Sequence, residues 1–347
     1  MRFYTQQHQF YCGIDLHARS MYICIIDSEG EIRVHRNIKA QPESFLKVIA
    51  PYREDIVVAV ECMFTWYWLA DLCSREHIPF VLGHALYMKA IHGGKAKNDR
   101  VDSTKIAALL RGGMIPQAYV YPREMRSTRD LLRRRNYLVR KRAELLSHIQ
   151  NTNSQCNLPE LGKKIIYKIH RQSVAEQFDD PVTRKSIETD LDLVNHLDRL
   201  NWNLERYILR ISREHDPNAL HLLRTVYGIG PVLSLVILYE IHDIHRFPRV
   251  QDFVSYARLV KCAKESAGKR HGTSGKKIGN AHLKWAFSEA AVLFLRGNPE
   301  GMKYKKRLEK KHGKSKALSI LAHKLGRATY YMLKRHQAFD MNKFLKT

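Results

Sequence analysis

Residues 55 to 61, DIVVAVE, constrain the fold more than any other stretch of this chain. A strand that is apolar at successive positions offers no face to water, so it needs cover on both sides. Such a segment belongs in the middle of a sheet, as a buried parallel strand. Short β-branched or aromatic runs precede it: FYCGIDLH, SMYICIIDS and EIRVHRNIK, all between residues 10 and 39. SEGE, between the second and third of these, has the composition of a hairpin turn. IPFVLG reads as a further strand, while 43–51, TWYWLADLCSRE and 102–113 read as helices.

A three-strand meander followed by alternating helices and strands is the order of a ribonuclease-H-like α/β domain, here spanning 1–122. Within it, four acids stand where acids are costly or directed. Asp15 lies inside an apolar strand, where a carboxylate must be paired or must meet a cation. Glu61 closes the apolar run, at the strand end that faces the usual ligand crevice of an open α/β sheet. Asp99 and Asp102 are three apart at a helix start and share one face. Asp27 and Asp55 read as turn residues. Convergence of Asp15, Glu61, Asp99 and Asp102 would suit two Mg²⁺ ions about 4 Å apart, one activating the attacking oxygen and one stabilising the leaving oxygen. Lys95, Lys97 and Arg100 would then meet phosphates. The plainer alternative makes Asp99 a helix N-cap and Asp102 a first-turn dipole partner.

Charge points the same way. Lys and Arg outnumber Asp and Glu by 59 to 34, giving a net charge of +25. That favours a polyanionic partner, nucleic acid before an acidic membrane surface. No apolar run approaches the roughly 20 residues of a membrane span. The N-terminus lacks a signal-peptide apolar core, so a cytoplasmic, nucleoid-associated location is expected. The 6 cysteines form no C-x-x-C pair, which argues against a zinc ribbon or disulfide framework. His242 and His245 form the closest histidine pair, without further ligands nearby. No G-x-x-x-x-G-K-[ST] is present, so no nucleotide cofactor is expected.

After Pro122 the strands stop. Leu131, Leu138 and Leu145 repeat every seven residues, and Leu132 and Val139 widen the stripe. A second amphipathic stretch, about 186–213, carries Leu193, Leu197, Leu200, Leu204, Ile208 and Ile211. A polar stretch, 157–185, separates the two. Residues 123–216 therefore read as an arginine-rich helical hairpin or coiled coil, suited to self-association or to packing in a bundle. Arg133, Arg134 and Arg135 cannot all face one seam, so they are candidates for nucleic-acid contact. Residues 217–347 read as mainly helical. There TVYGIGPVLS resembles a helix-hairpin-helix turn, with Gly228 and Gly230 offering amides to a phosphate; an ordinary helix–helix turn competes with that reading. Residues 263–280 read as a cationic Gly/Ser loop. Lys269, Arg270, Lys276 and Lys277 surround Ser266, Thr273 and Ser274, so a hydroxyl there would attack or hold a phosphodiester. A phosphate-binding loop without a nucleophile is the plainer alternative.

GIDLH, AVEC and KNDRVDSTKIAALL, then the arginine-rich hairpin, GIGPVLSLVILYEIHDIHRFPRVQDFVSYARLV and ESAGKRHGTSGKKIGNAHLKWAFSEAA, occur in an order that resembles the DEDD transposases of insertion-sequence family 110, kin of the Piv-type invertases. The resemblance spans about residues 10 to 335. It implies a RuvC-like domain whose D-E-D-D metal site falls on Asp15, Glu61, Asp99 and Asp102, a coiled coil, and a C-terminal transposase domain with a serine nucleophile. ESAGK carries that role onto Ser266. Ala267 stands where the family commonly has glycine, which keeps Ser274 as the alternative nucleophile. The resemblance further implies Mg²⁺, donor and target duplex DNA, a structured guide (bridge) RNA, and a homo-oligomer, dimer or tetramer, with no membrane. The implied activity is site-specific recombination through a phosphoserine intermediate. Two rivals remain at this level: a RuvC-like junction nuclease without a covalent step, and a non-enzymatic helix-hairpin-helix scaffold.

Overall fold

The computed structural model describes residues 2–91, 98–212, 216–274 and 278–346. The chain divides into two compact units, Met1–Arg123 and Glu124–Thr347.

The first unit is built on a five-stranded sheet. Strands β1 (Phe10–Leu16), β2 (Ser20–Asp27) and β3 (Ile32–Lys39) form the antiparallel meander, and β4 (Ile56–Glu61) and β5 (Phe80–Gly83) run parallel to β1. The order is β3-β2-β1-β4-β5. Helices α1 (Pro42–Ile49), α2 (Tyr67–Arg75), α3 (Ala85–Ile91) and α4 (Asp99–Arg111) complete it. This mixed architecture agrees with a ribonuclease-H-like domain. Every residue of β4 except Glu61 is buried, as its unbroken apolar run requires. Alternation divides the central strands between two cores. Cys12, Ile14, Val58 and Val60 pack with α1 and α2 residues such as Phe45 and Leu69, whereas Tyr11, Val57 and Ala59 pack with Ile106, Ala107 and Leu110 of α4. The SEGE turn is a hairpin, and Asp27 Oδ1 accepts from the backbone N–H groups of Glu29, Gly30 and Glu31. Edge strand β3 carries Arg33, Arg36 and Lys39, charges that discourage pairing with another sheet.

The second unit opens with two long helices, α5 (Arg123–Gln155) and α6 (Pro181–Ser212). Arg135 pairs with Glu205, Arg142 with Asp198, and His148 with Asp190. Partners on α6 step back toward its N-terminus as those on α5 advance, so the hairpin is antiparallel. Between the helices, 157–180 is less polar in effect than in composition. Its short 3-10 turns bury Ile165, Val174 and Phe178 against Leu146, Ile149, Ile187 and Leu191, giving the hairpin a core of its own. Helix α6 starts at Pro181, earlier than leucine spacing suggested, and Leu193 points to solvent.

Next come α7 (Pro217–Arg224), α8 (Pro231–Ile241), α9 (Val250–Tyr256), and strands β6 (Cys262–Ser266) and β7 (Lys269–Ser274). Helices α10 (Ala281–Phe294), α11 (Pro299–His312), α12 (Lys314–Arg335) and α13 (Met341–Leu345) end the chain. Helix α8 is buried from Leu233 to Ile241 on all sides, as expected of a helix apolar all round. It carries one acid, Glu240, into that core.

Candidate active site and nucleic-acid surfaces

The acids of the first unit are brought together by a residue without a side chain. A Cβ on Gly13 would lie 2.3 Å from the Ala107 backbone nitrogen and 2.4 Å from the Ser103 carbonyl oxygen. Only glycine in β1 lets α4 rest this low, because real Cβ atoms do not approach backbone so closely. Asp15 follows Gly13 on the same face of β1. Asp99 and Asp102 precede Ser103 in the first turn of α4. The C-terminal end of β1 therefore meets the N-terminal end of α4.

Asn98 caps α4, its Oδ1 accepting from Arg100 N at 2.9 Å. The cap is thus Asn98 rather than Asp99, whose side chain is not needed for capping. His35 of β3 donates through Nε2 to the Arg100 carbonyl at 3.1 Å, tying the same turn to the sheet.

Asp15 and Asp99 share a neighbour. His17 Nε2 lies 3.5 Å from Asp15 Oδ2 and 3.4 Å from Asp99 Oδ2. One ligand atom from each of the three falls within 4.8 Å of the others. Burial raises the Asp15 carboxyl above its ordinary range; His17 opposes this, while the like charges of Asp99 and Asp102 add to it. A half-buried carboxylate crowded by two others favours an inserted cation, so the donor set fits a divalent metal. Asp102 lies outside the tight trio, 3.5 Å from Lys105 Nζ. Glu61 also lies outside it. Because Ile14 pairs with Val60 in parallel register, Glu61 ends the strand next to Asp15, and strand alternation puts both on the α4 face. Leucine separates Asp15 from His17 in DLH, a two-residue step along a strand that aims both the same way, and this was the sequence signal for the histidine.

The basic candidates separate by environment. Lys95, Lys97, Lys276 and Lys277 lie outside the described residues, and nothing is described of the Arg270 side chain. Arg100 and Lys269 are exposed. Of the arginine triplet, only Arg134 is exposed, its guanidinium carbon 5.1 Å from the Tyr137 ring centre. Arg133 is turned inward onto Glu240, Nε donating to Oε1 at 2.7 Å and Nη2 to Oε2 at 2.9 Å. Arg129 Nε and Asn280 Nδ2 donate to Glu240 Oε2 at 3.0 and 2.7 Å. Burial alone would raise this carboxyl, but Arg133, Arg129 and Asn280 hold it down to about 2. Asn280 also caps α10, so Glu240 joins α5, α8 and the start of α10. Arg135 is likewise occupied, with Nε 2.9 Å from Glu205 Oε1. The structure therefore gives Arg133 and Arg135 internal partners. The sequence signal for Glu240 was an acid in the otherwise apolar PVLSLVILYEI.

Gly228 and Gly230 differ in the same way. Gly228 has φ +85°, and a Cβ there would lie 2.5 Å from Phe294 N, so packing against α10 accounts for the glycine. Gly230 is exposed at the N-cap of α8, with open space where its Cβ would be.

The expected cationic loop is in part a β-hairpin. Strands β6 and β7 pair antiparallel with Ser266 opposite Lys269. Ala267 and Gly268, between them, have φ values of 49° and 71°. Two consecutive left-handed residues make the tight turn whose twist matches a hairpin. Ser266 is exposed at that tip. The Thr273 and Ser274 side chains lie outside the described residues.

Two family models match parts of this chain, and two relatives are similar to most of it. A DEDD transposase model of the IS110 group, described as "Transposase", matches residues 12–156. A model described as "Transposase IS116/IS110/IS902 family" matches residues 220–306. The transposase for insertion sequence element IS1111A of Coxiella burnetii (strain RSA 493 / Nine Mile phase I) is 22% identical over 345 residues, covering 94% of this chain and 90% of that protein. The protein y4qE of Sinorhizobium fredii (strain NBRC 101917 / NGR234), which carries a transposase name, is 22% identical over 294 residues, covering 82% of this chain and 71% of its own length. The first model takes in Asp15, Glu61, Asp99 and Asp102, the second takes in the turn after α7 and Ser266, and together with the relatives they place this chain among the IS110-family DNA transposases.

Proposed function

We propose that this transposase cuts and rejoins DNA through a phosphoserine at Ser266, with Asp15, Glu61, Asp99 and Asp102 holding Mg²⁺, two ions in the full site. The observation that carries the metal assignment is the half-buried Asp15 carboxylate, crowded by Asp99 and Asp102 and bridged to Asp99 by His17. When bound, the cation would polarise the scissile phosphate and offset negative charge on the leaving oxygen.

The chain's own residues do the rest. Ser266 Oγ attacks phosphorus as the bond to one deoxyribose oxygen breaks, and the proton lost by the serine is balanced by the one that completes the departing hydroxyl. The DNA is then joined to the protein by a phosphodiester. Attack by the exchanged strand's hydroxyl reverses the step and frees the serine, so no nucleotide is consumed. Lys269, opposite Ser266 across the hairpin, supplies positive charge beside the reacting phosphate. Arg100, Arg134 and Gly230 are exposed and suited to phosphate contact. A structured guide RNA selects donor and target duplexes, and a homo-oligomer carries out the exchange. The basic composition and the family resemblance support the guide RNA, and the helical hairpin and the resemblance support the homo-oligomer. No helix among the described residues is long and apolar enough to cross a membrane.

A suicide DNA substrate tests the chemistry. Wild type should form a covalent adduct in Mg²⁺. Ser266→Ala should bind DNA but form none, and Asp15→Asn should fold but fail at strand transfer. An adduct that survives Ser266→Ala and disappears with Ser274→Ala would move the nucleophile to Ser274. Efficient Mg²⁺-dependent nicking without any wild-type adduct would favour a junction nuclease.

A further inference from the structure

The hairpin sorts its charges. Between Leu193 and Ser212 the acids of α6 are Asp198 and Glu205, and both turn into the seam, where Arg142, Arg171 and Arg135 meet them. The helix carries no other acid over that length. Arg199, Trp202, Arg206 and Arg210 follow one another at steps of three and four, which places them on one face, and all are exposed. Tyr207 lies beside them. Trp202 is 57% exposed and Tyr207 48%. Each aromatic ring has an arginine over it: Arg206 Cζ is 4.6 Å from the Trp202 ring centre, and Arg210 Cζ is 5.4 Å from that of Tyr207.

Exposed indole and phenol rings are unusual on a helix that has a seam available to bury them. Alternating guanidinium groups and π-faces have one complementary ligand chemistry, a phosphate backbone with unpaired bases. Duplex DNA offers the phosphates but keeps its base faces stacked inside. A second copy of this chain is disfavoured, since matching stripes would set arginine against arginine.

We infer that the outer face of α6, from Arg199 to Arg210, is a docking track for single-stranded DNA, with bases stacked on Trp202 and Tyr207 and phosphates on Arg199, Arg206 and Arg210. The track is about 16 Å long at 1.5 Å per residue, room for a few nucleotides. A strand-exchanging enzyme exposes such unpaired DNA when its substrate opens. The inference rests on DNA being the substrate, not on the metal centre or on Ser266.

The test is equilibrium binding of the full-length protein to labelled oligo-dT, to a duplex of equal length and to oligo-rU, in EDTA. Chelation removes divalent metal, so failure of the metal-site reading leaves this result unaffected. Trp202→Ala should weaken oligo-dT binding about tenfold. It should leave duplex binding unchanged, and Trp202→Phe should retain most of the affinity. The triple change Arg199→Gln, Arg206→Gln, Arg210→Gln should lower the slope of log K against log salt by about 2. Circular dichroism melts of each variant should match wild type, because these side chains are solvent-exposed. Unchanged oligo-dT binding by Trp202→Ala would overturn the proposal, as would equal loss on duplex. Tighter binding of oligo-rU, with the Trp202 effect confined to it, would assign the track to RNA instead. A change in oligomer mass with Trp202→Ala would assign it to a second copy.

Discussion

The carbonyl oxygen of Ser103 stands 2.4 Å from the point where a Cβ on Gly13 would be. This contact sets the height of α4 above β1, and with it the distance from Asp99 to Asp15. Gly13→Ala should therefore act on both stability and chemistry. Overpacking of this kind costs about 1–3 kcal/mol. Urea unfolding should show that loss, and strand transfer should fall further than the loss of folded protein explains. Wild-type stability and activity in the alanine variant would mean that α4 shifts without consequence.

Asp15 predicts how the metal site behaves without DNA. Its carboxylate is buried against Asp99 and Asp102, so Asp15→Asn should leave the metal-free protein as stable as wild type or slightly more so. Added Mg²⁺ or Mn²⁺ should raise the melting temperature of wild type and do little for Asp15→Asn. His17→Ala should weaken Mn²⁺ more than Mg²⁺, because imidazole suits the softer ion. Equal metal-induced shifts in wild type and Asp15→Asn would place the cation elsewhere.

Glu240 predicts an acid transition. Its carboxyl is held down to about 2, below the ordinary value of 4.5, so it favours folding when ionised. That contribution is complete above about pH 4.5 and is lost as pH falls toward 2, by about 3 kcal/mol in total. Glu240→Gln should remove this part of the pH dependence. It should also destabilise the protein at neutral pH by about 3–5 kcal/mol, because Arg129 and Arg133 lose a buried counter-charge. Thermal melts from pH 7 down to pH 3 would check both. A variant with wild-type stability at neutral pH would contradict the arrangement.

The arginine triplet should split by role. Arg134→Gln should lower the salt slope for duplex DNA by about 1 and leave stability unchanged. Arg133→Gln should instead lower the melting temperature, with the salt slope of the folded protein unaltered. Salt titrations and melts on the two single variants separate these outcomes.

Ala267 has φ 49°, a conformation that costs a side-chain-bearing residue about 1 kcal/mol relative to glycine. Ala267→Gly should stabilise the β6–β7 hairpin by about that amount and slow amide exchange at Glu265 and Lys269. Faster exchange in the glycine variant would mean the alanine is not strained.

The sequence by itself determined the parts whose signal is local. An unbroken apolar run made β4 a central strand, alternating β-branched runs made the meander, and two leucine-bearing stretches made the long helices. An acid inside an apolar strand marked Asp15, since burying a carboxylate needs a reason that composition alone reveals. What only the tertiary structure decided depends on distance between segments far apart in the chain. Adjacent arginines 133, 134 and 135 look equivalent in sequence, yet helical rotation sends the first to Glu240, leaves the second in solvent and gives the third to Glu205. The glycine-rich segment 263–280 has loop composition, but cross-strand pairing makes part of it a hairpin with Ser266 at the tip. His17 joined the acids only once Gly13 let α4 settle on β1. Propensity and pattern act over a few neighbouring residues, whereas ion pairing and close packing act over ångströms in space, so only the folded chain shows which charges are already satisfied and which still face a partner.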